Sequence, residues 1–377
     1  MSGRTRTNPD ERKALLLIPR RDLPYLDEAL ALAQTAGYQV LGVLRLRSSR
    51  RLGKGTLERI AYEAEEAEAG TLIFYADPPP TTVYLLQRET RRRVIDRVSL
   101  ILEIFMLHAG SREAKLQIEA AMIRHRLPLL REYVRRAKMG ELPGFLGPGE
   151  YAIDKYRLSL ERKLARIRRE LEALRERRAR RLWERQRRGM LHAAIVGYAS
   201  AGKTTLFNAI TGESKPVGEE YFTTLHPKHK AVTVKGERIV FVDTVGFIRR
   251  IPHEIIEAFR STLEEVAYSD VIVFVVDVSE PERDVREKIE AGLDTLASIG
   301  AAGLEGRLVV AANKIDRLPP EALEERIRLV EEAVRAYVYE APVVPVSART
   351  REGLDKLLET VLRLAREGRS EVARSIS

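Results

Sequence analysis

The sequence predicts an α/β protein with three parts. These are a small N-terminal parallel α/β domain at residues 1–110, a long antiparallel helical hairpin at residues 111–188, and a C-terminal doubly wound α/β domain at residues 189–377. In both outer parts short apolar runs alternate with helical stretches, which is typical of parallel sheets with crossover helices. In the middle part apolar residues recur in steps of three and four, which indicates amphipathic helices.

The N-terminal part contains three predicted strands, at residues 14–18, 38–46 and 71–76, and helical stretches at residues 22–36, 56–69 and 81–93. Three prolines, Pro78 to Pro80, should end the third strand, because proline lacks the backbone N–H that a strand ladder needs.

A Gly-Lys-Gly sequence at residues 53–55 stands before the second of these helical stretches. It could bind a phosphate, but an ordinary loop is the interpretation we favour, because such turns are common.

The middle part has two apolar seams, separated by a Gly- and Pro-rich segment at residues 140–150. Such a composition favours a turn, so the two helices should pair as an antiparallel hairpin with coiled-coil packing. Pro128 lies inside the first helix and should either kink it or mark a restart. The seams are formed by Leu116, Ala120, Ile123, Leu127, Leu130, Val134 and Ala137, and by Leu160, Leu164, Ile167, Leu171 and Leu174.

The C-terminal part has six predicted strands with helical stretches between them, the pattern of a doubly wound sheet. The strands are expected at residues 193–197, 231–235, 238–243, 271–278, 307–313 and 342–347.

Positive charge is concentrated in one segment. Residues 155–188 contain 15 Lys or Arg against 5 Asp or Glu, an excess equal to the formal charge of +10 of the whole chain. Such a segment suggests contact with a polyanion, with an affinity that depends steeply on salt. The alternative is a solvated charged helix of a heat-stable protein.

The composition excludes several classes of site and location. The chain has no Cys, which excludes disulfides, thiolate metal sites and a cysteine nucleophile. The absence of Cys fits a reducing compartment or a chain that avoids oxidisable residues. Its N-terminus has no apolar core of signal-peptide length, and its longest apolar run, at residues 271–276, is too short to span a membrane. We therefore expect a cytoplasmic protein without a membrane span. We also expect it to be monomeric when free.

A phosphate-binding loop follows the first strand of the C-terminal part. The segment from Gly197 to Thr204 fits the G-x-x-x-x-G-K-[ST] pattern between a strand and a helix. Backbone N–H groups of such a loop surround phosphate oxygens, Lys203 supplies positive charge to the β- and γ-phosphates, and the Thr204 hydroxyl binds Mg²⁺. The predicted nucleotide-binding residues of the loop are Gly197, Ser200, Ala201, Gly202, Lys203, Thr204 and Thr205.

Two further segments complete the predicted phosphate site. Asp243, at the end of an apolar strand, can hold Mg²⁺ through water, and the N–H of Gly246 can sense the γ-phosphate. Thr224 is the candidate Mg²⁺ ligand of a switch loop that orders with the nucleotide. Considered one at a time, these residues could simply lie at the end of a strand and in an ordinary turn. Together they predict Lys203, Thr224 and Gly246 as catalytic residues, and Thr204, Thr224 and Asp243 as metal ligands.

Base selection is predicted from Asn313, Lys314 and Asp316, which also follow an apolar strand. The Asp316 carboxylate can accept from N1–H and the 2-amino group of guanine, whereas adenine would leave that charge unpaired at a cost of ~1 to 3 kcal/mol. Ser347 and Ala348 could offer a backbone N–H to guanine O6. This order of motifs predicts a P-loop GTPase domain that binds GTP or GDP with Mg²⁺.

The chain resembles the HflX family of ribosome-associated GTPases over nearly its whole length. The resemblance is carried by Val94-Ile-Asp-Arg97, Leu100-Ile-Leu-Glu-Ile-Phe105, Arg112-Glu-Ala-Lys-Leu-Gln117, Gly147-Pro-Gly-Glu150, Phe222-Thr-Thr-Leu225 and Asp243-Thr-Val-Gly-Phe247. It implies binding to the large ribosomal subunit and its RNA, with residues 140–150 as a hairpin tip directed toward the peptidyl-transferase region. Some members split stalled or idle ribosomes, so ribosome splitting or rescue is also implied here.

The predicted RNA contacts are Arg162, Arg166 and Arg169 on the basic helix and Phe145 and Leu146 in the turn. Arginine pairs with phosphates and stacks on bases. The two apolar side chains could contact bases or could instead close the turn.

Hydrolysis by the isolated protein should be slow. Phe247 stands where many small GTPases have a glutamine that orients the attacking water. We expect the large subunit to complete the site. The alternative function is a GTP-switched ribosome assembly or hibernation factor, in which hydrolysis is incidental.

Overall fold

The computed structural model describes residues 12–139, 149–187, 190–213, 228–244, 246–247, 265–298 and 304–376. The chain divides into two compact units. Unit 1 comprises the described residues up to 107 and those from 112 to 173, and unit 2 comprises residues 108–111 and the described residues from 174 onwards. The predicted three-domain division stays a prediction. Within the described residues, no helix is both long and apolar enough to cross a membrane.

Unit 1 contains a four-stranded parallel sheet in the order β2-β1-β3-β4. The strands are β1 (Lys13–Pro19), β2 (Gln39–Leu46), β3 (Thr71–Phe74) and β4 (Arg93–Asp96). The helices among and after them are α1 (Leu26–Thr35), α2 (Lys54–Glu66), α3 (Pro80–Thr90) and α4 (Arg97–His108). The side chains of β3 are fully buried, as expected for a central parallel strand.

The strand β4 was not predicted from the sequence. This strand has only four residues and lies directly between two helices, so periodicity alone gives it little signal. The break before it comes from Arg91, which ends α3 in the left-handed conformation with φ 52°.

Two long helices follow, α5 (Arg112–Lys138) and α6 (Gly149–Arg187). Ion pairs join Arg112 to Glu170 and Glu119 to Lys163, so the two helices run antiparallel. Five residues of the predicted seams form a buried cluster between the helices, namely Ala120, Ile123, Leu127, Leu164 and Ile167. α5 continues as one helix through Pro128, which excludes the predicted restart.

Unit 2 contains a six-stranded sheet in the order β10-β9-β8-β5-β7-β6, parallel except for the β6–β7 pair. The strands are β5 (Leu191–Gly197), β6 (Lys228–Val234), β7 (Glu237–Asp243), β8 (Val271–Asp277), β9 (Leu308–Asn313) and β10 (Val343–Val346). The described helices are α7 (Lys203–Thr211), α8 (Glu282–Ser298), α9 (Pro320–Arg335) and α10 (Leu354–Ile376).

The order of strands in unit 2 places the predicted motifs side by side. After β5 the chain goes to one side of this strand to form β7, and later returns to its other side to form β8. In open α/β sheets ligands bind at the carboxyl ends of strands where the order reverses in this way. The carboxyl ends of β5, β7, β8 and β9 carry Gly197, Asp243, Asp277 and Asn313.

Candidate nucleotide site

Two glycines give the loop after β5 its shape. Gly197 has φ +146°, and a Cβ there would lie 2.3 Å from the backbone oxygen of Val275. Gly202 has φ +93°, and a Cβ there would lie 2.4 Å from Nδ2 of Asn313. A side chain at either position would push apart the strands and loops that meet here. The loop then leads directly into α7 at Lys203, so the helix N-terminus faces the same region.

Lys203, the first residue of α7, is buried against this loop. Its Nζ donates a hydrogen bond of 2.6 Å to the backbone oxygen of Tyr198, and the residue is 7% exposed. Burial lowers the pKa of Lys203 to about 8, helped by the nearby charge of Lys314 and opposed by that of Asp243. A buried ammonium group at the N-terminus of a helix favours an anionic ligand.

Hard oxygen ligands meet at the end of β7. The Thr204 hydroxyl donates to Oδ2 of Asp243 at 3.1 Å, and Asp243 is fully buried. Oxygen ligands of this kind suit Mg²⁺, which prefers one or two protein groups together with phosphate oxygens and water. Thr204 and Asp243 therefore fit the predicted metal site. Such an ion would neutralise charge on bound phosphates.

The segment after Asp243 is joined to the phosphate-binding loop by backbone hydrogen bonds. Phe247 N donates to Gly197 O at 2.9 Å, and Ala199 N donates to Phe247 O at 2.8 Å. A Cβ at Gly246 would lie 2.8 Å from Nζ of Lys203, so this glycine lies directly against the lysine. The side chain of Phe247 is buried and packs edge-to-face on Tyr198. It presents no polar atom to a water molecule.

Asn313 joins two loops that follow different strands. Its Nδ2 donates to Ala201 O at 2.8 Å, and its Oδ1 accepts from Ala348 N at 3.0 Å. Lys314 has φ 70° and extends over the phosphate-binding loop, where its Nζ donates to Ser200 O at 2.8 Å. These contacts bring the predicted base-binding and phosphate-binding segments into one arrangement.

Asp277 was not predicted as a site residue from the sequence. Its Oδ2 lies 2.5 Å from Nζ of Lys314, and the residue is 7% exposed. Asp277 also accepts from the N–H and hydroxyl of Ser279. Its position at the end of the apolar strand β8 was the available signal, because the other predicted carboxylates also follow such strands.

Asp316 has two side-chain partners. The Ser347 hydroxyl donates to Oδ1 at 2.6 Å, and Nη2 of Arg349 lies 2.5 Å from Oδ2. Ser347 was predicted as part of a base-binding loop, whereas Arg349 was not identified from the sequence. Asp316 is thus held by the loop after β10, and its side chain is 9% exposed.

The remaining predicted residues differ in what the structure says of them. Thr224, Phe145 and Leu146 lie outside the described residues. Ser200 has a left-handed backbone, with φ 63°, and Thr205 is half-buried in α7. The three predicted RNA contacts, Arg162, Arg166 and Arg169, are exposed on α6.

Unit 1 contains a second group of side chains that could hold a metal ion, Asp77, Asp96 and His125, whose ligand atoms all lie within 4.8 Å of one another. Asp96 already has partners, because Oδ1 accepts from Ser99 N at 2.7 Å and Oδ2 lies 2.6 Å from His125 Nε2. Burial acts to raise the pKa of Asp96, but these contacts outweigh it and hold the pKa below its usual value. These contacts explain Asp96 and His125 as a helix cap with a hydrogen-bonded histidine.

Comparison with known proteins connects this geometry to a family. Residues 24–106 match a model described as GTP-binding GTPase N-terminal, residues 108–188 match GTP-binding GTPase middle region, and residues 192–314 match 50S ribosome-binding GTPase. The GTPase HflX of Hyperthermus butylicus is 51% identical over 355 residues, covering 92% of this chain and 94% of the relative. The chain belongs to the HflX GTPase family.

Other HflX relatives and a solved structure agree. The GTPase HflX of Methanocaldococcus jannaschii is 35% identical, with coverage of 92% of this chain and 85% of the relative. A GTP-binding protein from Sulfolobus solfataricus, solved in complex with GDP, is 30% identical, with a TM-score of 0.52 over 94% of this chain and 99% of the other. The chain is therefore a GTP-binding GTPase, and its mixed α/β fold with a C-terminal P-loop sheet is the one predicted from the sequence.

Proposed function

We propose that this HflX chain is a ribosome-dependent GTPase that binds GTP and Mg²⁺ in unit 2 and the large ribosomal subunit through α6. Lys203 would neutralise the β- and γ-phosphates, Thr204 and Asp243 would hold Mg²⁺, and Asp316 would recognise guanine. Gly246 and Thr224 would respond to the γ-phosphate as parts of the switch segments. A ribosomal partner would also place the protein in the cytoplasm.

One observation carries the nucleotide part of the proposal. Asn313 bonds simultaneously to the loop that contains Lys203 and to the loop that holds Asp316. A phosphate group at the first loop and a base at the second would therefore be held at a fixed separation. The base of a nucleotide bound at the first loop would then lie against Asp316, whose acceptor oxygens distinguish guanine from adenine.

The ribosomal part is supported by the match of residues 192–314 to a 50S ribosome-binding GTPase model and by the basic α6. Phe247 supports dependence on a partner, because its buried ring cannot orient water. Contact with the large subunit would then order the switch segments and speed hydrolysis. On this proposal, subunit splitting or rescue is the outcome of GTP-dependent binding.

The test is GTP turnover with and without purified large subunits. We expect slow hydrolysis alone and a rate at least about tenfold higher with large subunits, as for partner-completed GTPase sites. The Asp316→Asn variant should lose its preference for GTP over ATP in the same assay, because an amide cannot accept from both guanine donors. An unchanged rate with large subunits would contradict the ribosomal part, and retained guanine preference in Asp316→Asn would contradict the nucleotide part.

A second candidate function is a GTP-switched assembly or hibernation factor. The buried Phe247 also favours this candidate, because a site without a water-orienting side chain there suits a slow switch. Sedimentation of ribosomes with GTP, GDP and a non-hydrolysable GTP analogue separates the two. Separated subunits would support splitting, whereas retention on the large subunit without separation or stimulated turnover would support the switch.

A further inference from the structure

Arg349 lies beside the carboxylate that we propose recognises guanine. Its Nη2 is 2.5 Å from Oδ2 of Asp316, while the Ser347 hydroxyl donates to the other oxygen. The Arg349 side chain is 71% exposed and that of Asp316 is 9% exposed. An exposed arginine therefore approaches an almost buried carboxylate from the solvent side.

The backbone that carries Arg349 is held in place. Arg351 N donates to Ser347 O at 2.8 Å, and Ser347 N donates to Glu352 O at 3.0 Å. Gly353 has φ +75°, and a Cβ there would lie 2.1 Å from Pro345 O, so the turn that follows requires glycine. This turn fixes where the Arg349 side chain begins, and so lowers the entropy cost of its contact with Asp316.

The contact with Arg349 does not exhaust the acceptor capacity of the Asp316 carboxylate. An ionised carboxylate offers about four acceptor positions on its two oxygens. Ser347 contacts one oxygen and Arg349 the other, so neither contact by itself uses the full acceptor capacity of an oxygen that N1–H or the 2-amino group of guanine needs. On the proposed role of Asp316, Arg349 would keep its contact while guanine binds.

We propose that Arg349 is a positioning residue for guanine selectivity, which holds Asp316 in the orientation that accepts both guanine donors at once. The proposal rests on the proposed role of Asp316. The two donors of guanine have a fixed spacing, so both oxygens of the Asp316 carboxylate must be correctly placed to accept from them. A base with one donor needs only one oxygen and can still bind to a carboxylate that has rotated. Arg349 thus contributes most to the binding of a base that has two hydrogen-bond donors.

Electrostatics adds to this positioning. Burial acts to raise the pKa of Asp316, but the Ser347 hydrogen bond and the charge of Arg349, with a smaller contribution from Arg317, hold the pKa below its usual value. An ionised Asp316 is the acceptor that guanine needs. Affinity for guanine nucleotides should be lost as the pH falls and Asp316 takes up a proton. Removing Arg349 should raise the pKa of Asp316, so this loss should begin at a higher pH.

The experiment measures the affinities of the full-length protein for Mg-GDP and Mg-IDP between pH 4.5 and 7.5. Inosine keeps N1–H but lacks the 2-amino group. We expect Arg349→Ala to weaken GDP binding about 2- to 5-fold, the range for loss of a partly exposed ion pair. IDP binding should change less, so the GDP-to-IDP ratio should fall, and Arg349→Lys should restore part of it.

Arg283→Ala is the matched control, because it removes another exposed arginine, paired with Glu287 at 2.9 Å on α8. It should leave the ratio and the pH profile unchanged. An unchanged GDP-to-IDP ratio in Arg349→Ala, equal loss of both affinities, or tighter GDP binding would overturn the role of Arg349. If Asp316→Asn kept the wild-type preference for guanine, the proposed function would fail as well, so the two failures are distinguishable.

Discussion

At the scale of single residues, Lys203 is the group whose protonation should be most strongly coupled to nucleotide binding. Burial lowers the pKa of Lys203 to about 8 in the free protein, whereas a bound phosphate favours the charged form. Between this value and the ordinary pKa near 10.5, binding must add a proton to the lysine. Affinity for GDP should therefore fall as pH rises above about 8.

Calorimetry in two buffers of different ionisation enthalpy checks this prediction. At pH 9 we expect uptake of about one proton on GDP binding. The Lys203→Arg variant is the control, because a guanidinium stays charged throughout this range. Equal binding enthalpies in the two buffers for the wild-type protein would show that Lys203 is already charged before the nucleotide arrives.

Site residues that belong to a local sequence motif were predicted. Those that contact the site only through a residue distant in the chain were not. Gly197, Lys203 and Asp316 occur at motif spacings that can be recognised directly. Arg349 and Asp277 do not stand at a recognisable motif spacing from their partners. Asp316 is 33 positions from Arg349, and Lys314 is 37 positions from Asp277. Only the parallel arrangement of β8, β9 and β10 brings those pairs together.

At the scale of secondary structure elements, the packing of α8 on the sheet depends on a glycine. A Cβ at Gly292 would lie 2.6 Å from Cζ of Phe274, a ring that is 1% exposed in β8. Gly292→Ala should force the ring to move in a packed core at a cost of about 1–3 kcal/mol. The gain in helix propensity of up to ~1 kcal/mol offsets this only in part, so the variant should be less stable.

Gly368 in α10 gives the opposite expectation, because a Cβ built there would meet no described atom within 4 Å beyond the backbone of its own helix and its chain neighbours. Gly368→Ala should raise the free energy of unfolding by up to about 1 kcal/mol through helix propensity alone. Urea denaturation of both variants measures the two changes under the same conditions. A Gly292→Ala variant as stable as the wild-type protein, or more stable, would contradict the close contact between α8 and Phe274.

The elements were predictable where periodicity extends over several turns. The seams that meet at Leu127 and Leu164 continue through long helices, and their packing was confirmed. β4 was missed because four residues between two helices give no repeat. Whether the helix continues through Pro128 could not be predicted either. Packing against a partner helix determines whether a helix continues through a proline, and a single sequence does not show that packing.

At the scale of the whole molecule, the charge distribution suggests a contact between α6 and RNA. Arg162, Arg166 and Arg169 are spaced so that they share one face of the helix, and all three are exposed. Among the described residues, none of the three has an ion-pair partner, whereas Arg157 and Lys163 on the same helix pair with Glu161 and Glu119. Unpaired arginines can bind phosphates without first losing an acidic partner.

The variant with Arg162, Arg166 and Arg169 changed to Gln should therefore bind large subunits more weakly, and its affinity should depend less on salt. If each arginine releases about one counterion, the slope of log affinity against log salt should decrease in magnitude by about 2 to 3. GDP affinity should stay unchanged, because the site in unit 2 is untouched. Cosedimentation with large subunits at several salt concentrations measures both effects.

A control with Arg283, Arg328 and Arg363 changed to Gln removes the same charge from arginines that are already paired with glutamates. If this control weakened binding equally, net charge rather than the exposed face of α6 would explain the affinity, and α6 would be a solvated charged helix.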